Sequence, residues 1–520
     1  MIEIMQHDKP EIKTFKSQLL FKMKKQAEEF CVNTGLHGYK YIGYNRRTKF
    51  ERTLWGITVF IALSCACVLM HTAWEYNSSR STLTVIKTTH RGIWNYPFPA
   101  VTVCNLNRIS AKKAKQFVNT LNIPKNITRN GVVQQLRYLL ALFDPGVFDN
   151  LDNIHHLQNL LDNNNVTVVD VMRQISPDCS RLLIGCKWKG NQVNCGKIIK
   201  QSLSRDGFCC SFNYTSPFDS SVIQKQNFEK VTSCGYQTGL TIAINPEPDD
   251  YLAPLLGSYG VKILLHFPYN YPDYNAVSKL IGMGYQVFLS ISPTEIYSTP
   301  AVRKLSISNR KCLFHDENIN MPVNSSNIGM EFYHYSYINC MTACRAEAII
   351  SKCGCLPFYY EQKSTRICNL TDVKCLKENR DFFDTSFPGY DSKIKVTNEL
   401  IQNTDRPCNC LPDCTLYQYD IEDSQGTLKM TKSYADDPFL KDLNITSQST
   451  VHIFFADLVS LQYCRNVYFD WHNLFASFGG LLGLFAGFSL MSGCELIYFF
   501  IIRITSDSCI RNKNKRKFNH

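Results

Sequence analysis

Apolar residues along this chain concentrate in two long runs, Thr53–Trp74 and Phe475–Ile502, with shorter alternating stretches between them. The second run is 28 residues long and holds one formal charge, Glu495. At about 1.5 Å per residue a straight helix of that length would reach roughly 42 Å, against a hydrocarbon core of about 30 Å. Such a segment must tilt or break. Gly479, Gly483 and Gly487 recur every fourth residue and give one face narrow enough for close backbone approach. The helix is weakest around Gly487-Phe488-Ser489, because Gly costs about 1 kcal/mol relative to Ala in a helix interior. Non-helical backbone at membrane depth is tolerated only where protein buries it or water reaches it. Glu495, with no basic residue in the span, asks for water or a partner as well. A glycine zipper with Glu495 snorkelling to the headgroups explains part of this pattern. Excess length and the acid together favour a water-lined helix.

The rest of the chain reads as an α+β protein. Ile12–Phe30 has helical spacing of Leu19, Leu20, Met23 and Ala27, followed by the turn-rich Gly35-Leu36-His37-Gly38. After the first run, Leu83 and Val85 alternate as in a strand leaving the membrane. Prolines 97 and 99 block helix before Ala100–Asn105, a β-branched run predicted to be a buried strand closed by Cys104 in a disulfide. Residues 108–175 are helical in period, with Leu136, Leu139, Leu140 and Phe143, then Leu157, Leu160 and Leu161. Asn163–Asn165 reads as a surface loop, and His155-His156 as a solvated pair in a polar, loop-like stretch. Residues 209–310 are β-rich, with strands at Leu240–Asn245, Val261–Phe267 and Gln286–Ser292 and an alternating Val302–Arg310. Residues 335–355 turn helical and put Cys340 and Cys344 on one face, where each can bridge to a second antiparallel element of a helical hairpin. Strands at Thr415–Ile421 and Thr450–Leu458 close the region. Nothing repeats.

Charge sets the orientation. Residues 1–52 carry eleven basic and six acidic side chains, residues 503–520 six and one, so each tail is +5. The 450 residues between account for only +2 of the total +12. Basic excess beside the spans places both tails in the cytoplasm of a plasma-membrane protein. The near-neutral middle offers no surplus to phosphates, which removes nucleic acid as a partner. The layout is then a cytoplasmic tail 1–52, a first span 53–74, an extracellular domain 75–470, a second, pore-lining span 471–503 and a cytoplasmic tail 504–520. The first span starts too far in, and runs too long, for a cleavable signal.

Two further counts agree. Sequons occur at Asn77, Asn126, Asn165, Asn213, Asn324, Asn369 and Asn444, all in the middle region. Eighteen of the 23 cysteines lie there too, clustered at Cys340, Cys344, Cys353 and Cys355 and at Cys408, Cys410 and Cys414. In an oxidising compartment these are disulfides. Without C-x2-C pairs and with few histidines among them they do not read as zinc ligands, so no metal and no cofactor are expected.

FPAVTVCN (Phe98–Asn105), C-x3-C-x8-C-x-C-L-P (Cys340–Pro357), CNCLPDC (Cys408–Cys414) and GGLLGLFAGFSLMSGCEL (Gly479–Leu496) together resemble the epithelial sodium channel/degenerin family. His37-Gly38, GLTIAIN (Gly239–Asn245) and RKC (Arg310–Cys312) match more weakly, and Phe488 with Cys209-Cys210 is most similar to the insect pickpocket branch. The matches run in order from residue 37 to 496. The resemblance implies a trimeric, sodium-preferring, voltage-independent, usually amiloride-sensitive channel, with Na+ as permeant ion and related subunits as partners in homo- or heterotrimers. It implies a palm, β-ball, finger, thumb and knuckle in the ectodomain, with Cys340–Cys355 in the thumb. It also implies an extracellular gate at Ala476 and Ser477, a selectivity filter at Gly487, Phe488 and Ser489, and a gating pair at His37 and Gly38. The family's middle filter residue is small; Phe488 departs from it, which bears on ion preference and suits a subunit of heteromers.

The rival readings differ in class. A non-conducting two-pass receptor or adhesion protein would share the ectodomain but has no use for a 28-residue glycine-rich span bearing an acid. An ectoenzyme would need a catalytic motif, and H-E-x-x-H, G-x-S-x-G and G-x-G-x-x-G are all missing from the sequence. An unrelated two-span ligand-gated channel would space its cysteines differently.

Overall fold

A computed structural model describes residues 25–503 except 45, 80, 126, 149–151, 220–227, 318–332, 362–364, 385–407, 409, 430–438, 440–443 and 469–470. The chain divides into two units, Met1–Leu83 with Val467–His520 and Thr84–Asn466.

In the first unit one helix, Lys49–Ser79, is continuous, and its part Lys49–Tyr76 is long and apolar enough to cross a membrane. It extends beyond the expected Thr53–Trp74 at both ends, because no Gly or Pro interrupts Glu75–Ser79, so Asn77, expected beyond the span, sits in its last helical turn. The second apolar run is two helices, Trp471–Ala486 and Leu490–Ile497, the latter continuing through a π-helical turn Tyr498–Ile502. The two meet at a bend of 72° and pass the length and hydropathy test only as a pair. The expected break is therefore present. Of the N-terminal helix, residues 25–33 are described and Ile12–Lys24 lie outside the described residues.

The second unit is built on thirteen strands: β1 Thr82–Gly92, β2 Ala100–Asn105, β3 Leu183–Trp188, β4 Asn191–Val193, β5 Ile199–Ser204, β6 Gly207–Phe212, β7 Leu240–Ile244, β8 Val261–His266, β9 Val277–Ile281, β10 Tyr285–Ser298, β11 Leu416–Thr427, β12 Ser449–Phe455 and β13 Val459–Val467. An eight-stranded sheet runs β1-β13-β10-β12-β7-β3-β4 with β11 added to β10, and a five-stranded sheet runs β5-β6-β2-β8-β9. Their shared core holds Tyr96, Phe98, Val101, Ile242, Leu289, Val451 and Phe455. Phe98 packs against Trp188, Phe212 and Phe455 at ring separations of 5.0, 6.1 and 5.5 Å. Every residue of β2 is buried, because that strand lies between β6 and β8 and so has no edge. A separate helical core gathers Phe117, Leu136, Leu139, Leu140, Leu157 and Leu161 with Ile349 and Phe358.

Three local expectations change. The alternating stretch Val302–Arg310 forms two short helices, Pro300–Arg303 and Ile307–Arg310: Pro300 favours a helix start, and Arg310 turns inward to ion-pair with Glu317. The strand expected at Thr450–Leu458 is two, β12 and β13, both parallel to β10. The chain bends at Ala456–Asp457, where the Asp457 carboxylate accepts from Leu458 N at 2.6 Å. His155 and His156 lie on helix Asp152–Asn163, exposed, opposite its buried Leu157, Leu160 and Leu161. Period, not local polarity, decided that stretch.

Eight disulfides pair sixteen of the eighteen cysteines, leaving Cys234 and Cys464 as free thiols. Cys340 joins Cys410 and Cys344 joins Cys408, so the helix face is stapled antiparallel as expected. The partner, however, is the irregular stretch before β11 rather than a second helix, since C-x-C spacing and Pro412 suit no helix. Cys355, Cys368 and Asp372 lie close enough to hold a metal, but the two sulfurs are bonded to each other and offer no thiolate. Of the sequons with described side chains, Asn165 and Asn444 are exposed and Asn369 is half-buried. Asn213 donates its amide to Phe98 O at 2.6 Å, which competes with modification.

A buried ionic cluster ties the second unit's sheet to its loops. Asp206 meets Arg108 at 2.7 Å and Lys262 at 2.8 Å. Burial alone would raise the Asp206 carboxyl, but Arg108 and Lys262 outweigh it and hold it below the usual carboxylate range. A depressed folded-state pKa stabilises above the unfolded value and is lost as pH falls through the folded one. Asp206→Asn is accordingly expected to lower stability by about 3–5 kcal/mol, since Arg108 is left buried without its carboxylate. Thermal unfolding of the full chain at pH 7 should show the loss, and a shallower further decline towards pH 3 than in the wild type.

Candidate functional site

The first unit concentrates the motif residues of both ends of the chain on the break in the second apolar run. The break starts at Gly487, whose φ of +65° is left-handed and disfavoured for a residue with a Cβ. Gly487 N still donates to Gly483 O at 3.0 Å, and Phe488 N reaches Leu482 O at 3.2 Å. Ser489 is extended and starts the second helix as its N-cap, its hydroxyl accepting from Ser492 N at 3.3 Å while Ser492 Oγ accepts from Ser489 N at 3.4 Å. A Ser-x-x-Ser reciprocal cap explains why the helix restarts at Leu490 and not one residue earlier. Phe488 lies against Gly493, where an added Cβ would sit 3.6 Å from its Cζ. The bulky ring is thus seated on the helix that follows the break, over Gly493.

His37 and Gly38 meet this break. His37 N donates to Ala486 O at 3.0 Å, taking the carbonyl that the interrupted helix leaves over. The His37 ring covers Gly487 so closely that a Cβ there would fall 2.6 Å from it. Gly38, with φ of +82°, leaves no room either: its Cβ would lie 2.5 Å from Val59 Cγ2 on helix Lys49–Ser79. The His-Gly pair is therefore a wedge between helix Lys49–Ser79 and the broken second run, with one glycine on each side of the contact. His37 lies in the turn that the sequence predicts, but no local pattern showed what its ring covers. Stacking of Tyr41 on Trp55 at 4.5 Å and an Arg52 Nε bond to Ile42 O at 2.7 Å fix the wedge to the first helix.

Glu495 has a partner that spacing did not reveal. Thr34 Oγ1 donates to its Oε2 at 2.9 Å. Near the end of the run, Phe30 packs edge-on against Phe499 and Phe500, and Arg503 pairs with Glu29 at 2.7 Å. These contacts join residues more than 460 positions apart, and no local pattern marks them. Ala476 and Ser477 lie exposed on helix Trp471–Ala486, and, apart from that helix's own neighbouring backbone, no described atom comes within 4 Å of a Cβ built on Gly479 or Gly480. Of the glycine face expected for close packing, the Gly479 end is open, Gly483 lies near Phe488 O and Gly487 is covered by the His37 ring.

Comparison with known proteins follows the same residues. The family model described as amiloride-sensitive sodium channel matches residues 30–499. Sodium channel protein Nach of Drosophila melanogaster is 25% identical over 496 residues, covering 92% of this chain and 88% of the relative. Pickpocket protein 28 of the same fly is 22% identical over 545 residues, covering 95% and 81%. The human bile acid-sensitive ion channel is 22% identical over 499 residues, covering 92% and 86%. These relatives are ion channels and not enzymes, which disposes of the ectoenzyme reading. With the match spanning both apolar runs and the cysteine-rich region between them, the chain belongs to the amiloride-sensitive sodium channel family.

Proposed function

We propose that this chain is a subunit of a trimeric, sodium-preferring, voltage-independent cation channel of the plasma membrane, gated by an extracellular stimulus. The observation that carries the reading is the broken second run: main chain freed at Gly487–Ser489, held in place by His37. Three such breaks around an axis would present carbonyls and hydroxyls that replace water around a cation, and ring size would select among cations. Gly487, Phe488 and Ser489 would line that ring, with Phe488 folded onto Gly493 rather than across the path. Ala476 and Ser477 would pinch the path at its outer end, and the open stretch at Gly479 and Gly480 would receive a neighbouring copy. Glu495 would concentrate cations below the break, and its bond to Thr34 would keep it off the lipid. Both tails would be cytoplasmic. A stimulus that favours one ectodomain packing would shift a two-state gate through β1 and β13, the strands that continue into the two spans.

Two measurements bear on this. Voltage clamp of cells expressing the chain alone and with a related subunit should show inward current that falls on sodium replacement and in amiloride. Glu495→Gln should lower single-channel conductance severalfold or weaken cation preference. Unchanged conductance and preference in that variant would mean the carboxylate serves only to anchor Thr34.

A further inference from the structure

The second unit holds a cavity of about 550 Å³ that nothing in the pore mechanism uses. That size suits a drug-like small molecule. Its walls come from the end of β8, the segment entering helix Tyr337–Cys353, and the start of β11, and they include Phe267, Tyr269, Tyr335 and Tyr417. The rings are ordered: Phe267 stacks on Tyr417 at 5.5 Å and 6°, and Tyr269 lies 4.9 Å from both Phe228 and His334. Two carboxylates face the same space, Asp413 on the wall and Asp316 at the exposed rim.

We infer that this cavity binds a small organic cation with an aromatic body, an arylalkyl ammonium, with Asp413 as its counter-ion and the tyrosine and phenylalanine rings as its walls. Aromatic faces attract a cation by their quadrupole, and the attraction grows where water is excluded. Asp316 is already ion-paired to Arg303 at the rim, which leaves Asp413 as the acid that faces the cavity. Burial holds His334 down at about 3, so it is neutral and adds no positive charge. It stacks on His315 at 5.1 Å at the rim. Arg465, the nearby guanidinium, donates to Asp413 main-chain O at 3.4 Å rather than to the carboxylate. Asp413 Oδ1 accepts one bond, from Tyr337 N at 3.1 Å. Desolvation raises its carboxyl to about 7, as expected of an acid without a full counter-charge. An anionic ligand would be repelled by Asp413, whereas a cation seated beside it would favour the ionised carboxylate.

The test is a ligand-observed NMR titration of the full chain in lipid nanodiscs with three probes sharing one ring: phenethylamine, 2-phenylethanol and 3-phenylpropionate. Phenethylamine should bind about tenfold tighter than the alcohol, with the carboxylate weakest. Asp413→Asn should erase that order. Thr415→Phe, which fills the cavity and leaves Asp413 in place, should weaken phenethylamine by about tenfold at unchanged melting temperature. Equal binding of all three probes by the wild type would overturn the inference. So would wild-type phenethylamine affinity in Thr415→Phe, which decides the matter even where Asp413→Asn does not fold.

Discussion

Ala476→Trp is expected to leave the channel conducting at rest. Ala476 lies on the exposed face of helix Trp471–Ala486, three residues before Gly479, where three copies would approach closely in a shut gate. Overfilling a packed contact destabilises it by about 1–3 kcal/mol, and a bias of that size multiplies an open-to-closed ratio by roughly 5- to 150-fold. Resting current per surface channel should rise by that order, and Ala476→Ser should leave it near the wild-type level. A tryptophan variant that reaches the surface with ordinary resting current would remove Ala476 from the gate.

Gly487→Ala should have the second large effect, in the opposite sense. A Cβ at φ of +65° carries a left-handed penalty of about 1–2 kcal/mol. It would also collide with the His37 ring at 2.6–2.8 Å, and His37 cannot easily retreat because its main-chain N is held by Ala486 O. Current should drop at least tenfold, on the scale of about 1.4 kcal/mol per decade, while surface expression persists. The double variant Gly487→Ala, His37→Ala removes the collision but not the backbone penalty, so it should recover part of the loss. Such non-additivity is what a contact between the two predicts. If His37→Ala and Gly487→Ala instead add independently, the wedge is not where the conduction path is controlled.

What the sequence made legible was whatever depends on neighbours in the chain. A largely apolar run of 28 residues must tilt or break, and Gly487 marks the point where this one breaks. Pro97 and Pro99 before a β-branched run predict β2, and a four-residue cysteine spacing predicts one stapled helix face. Illegible were contacts set by tertiary placement. Thr34 meets Glu495 only because the N-terminal segment folds back along the second run, and a lone threonine carries no trace of that. Val302–Arg310 alternates yet turns helical, because a short segment takes the form its flanking caps and the inward Arg310 allow. The eight cysteine pairings could not be read from spacing, since partners such as Cys104 and Cys209 lie 105 residues apart.

Whether the break at Gly487–Ser489 conducts cations can be decided by one recording. Cells expressing the Ala476→Trp chain, alone and with a related subunit, are clamped while external Na+ is replaced by N-methyl-D-glucamine. A standing inward current that collapses, with its reversal potential moving strongly negative, is the expected result. Surface-expressed protein with no sodium-dependent current in either combination would contradict it.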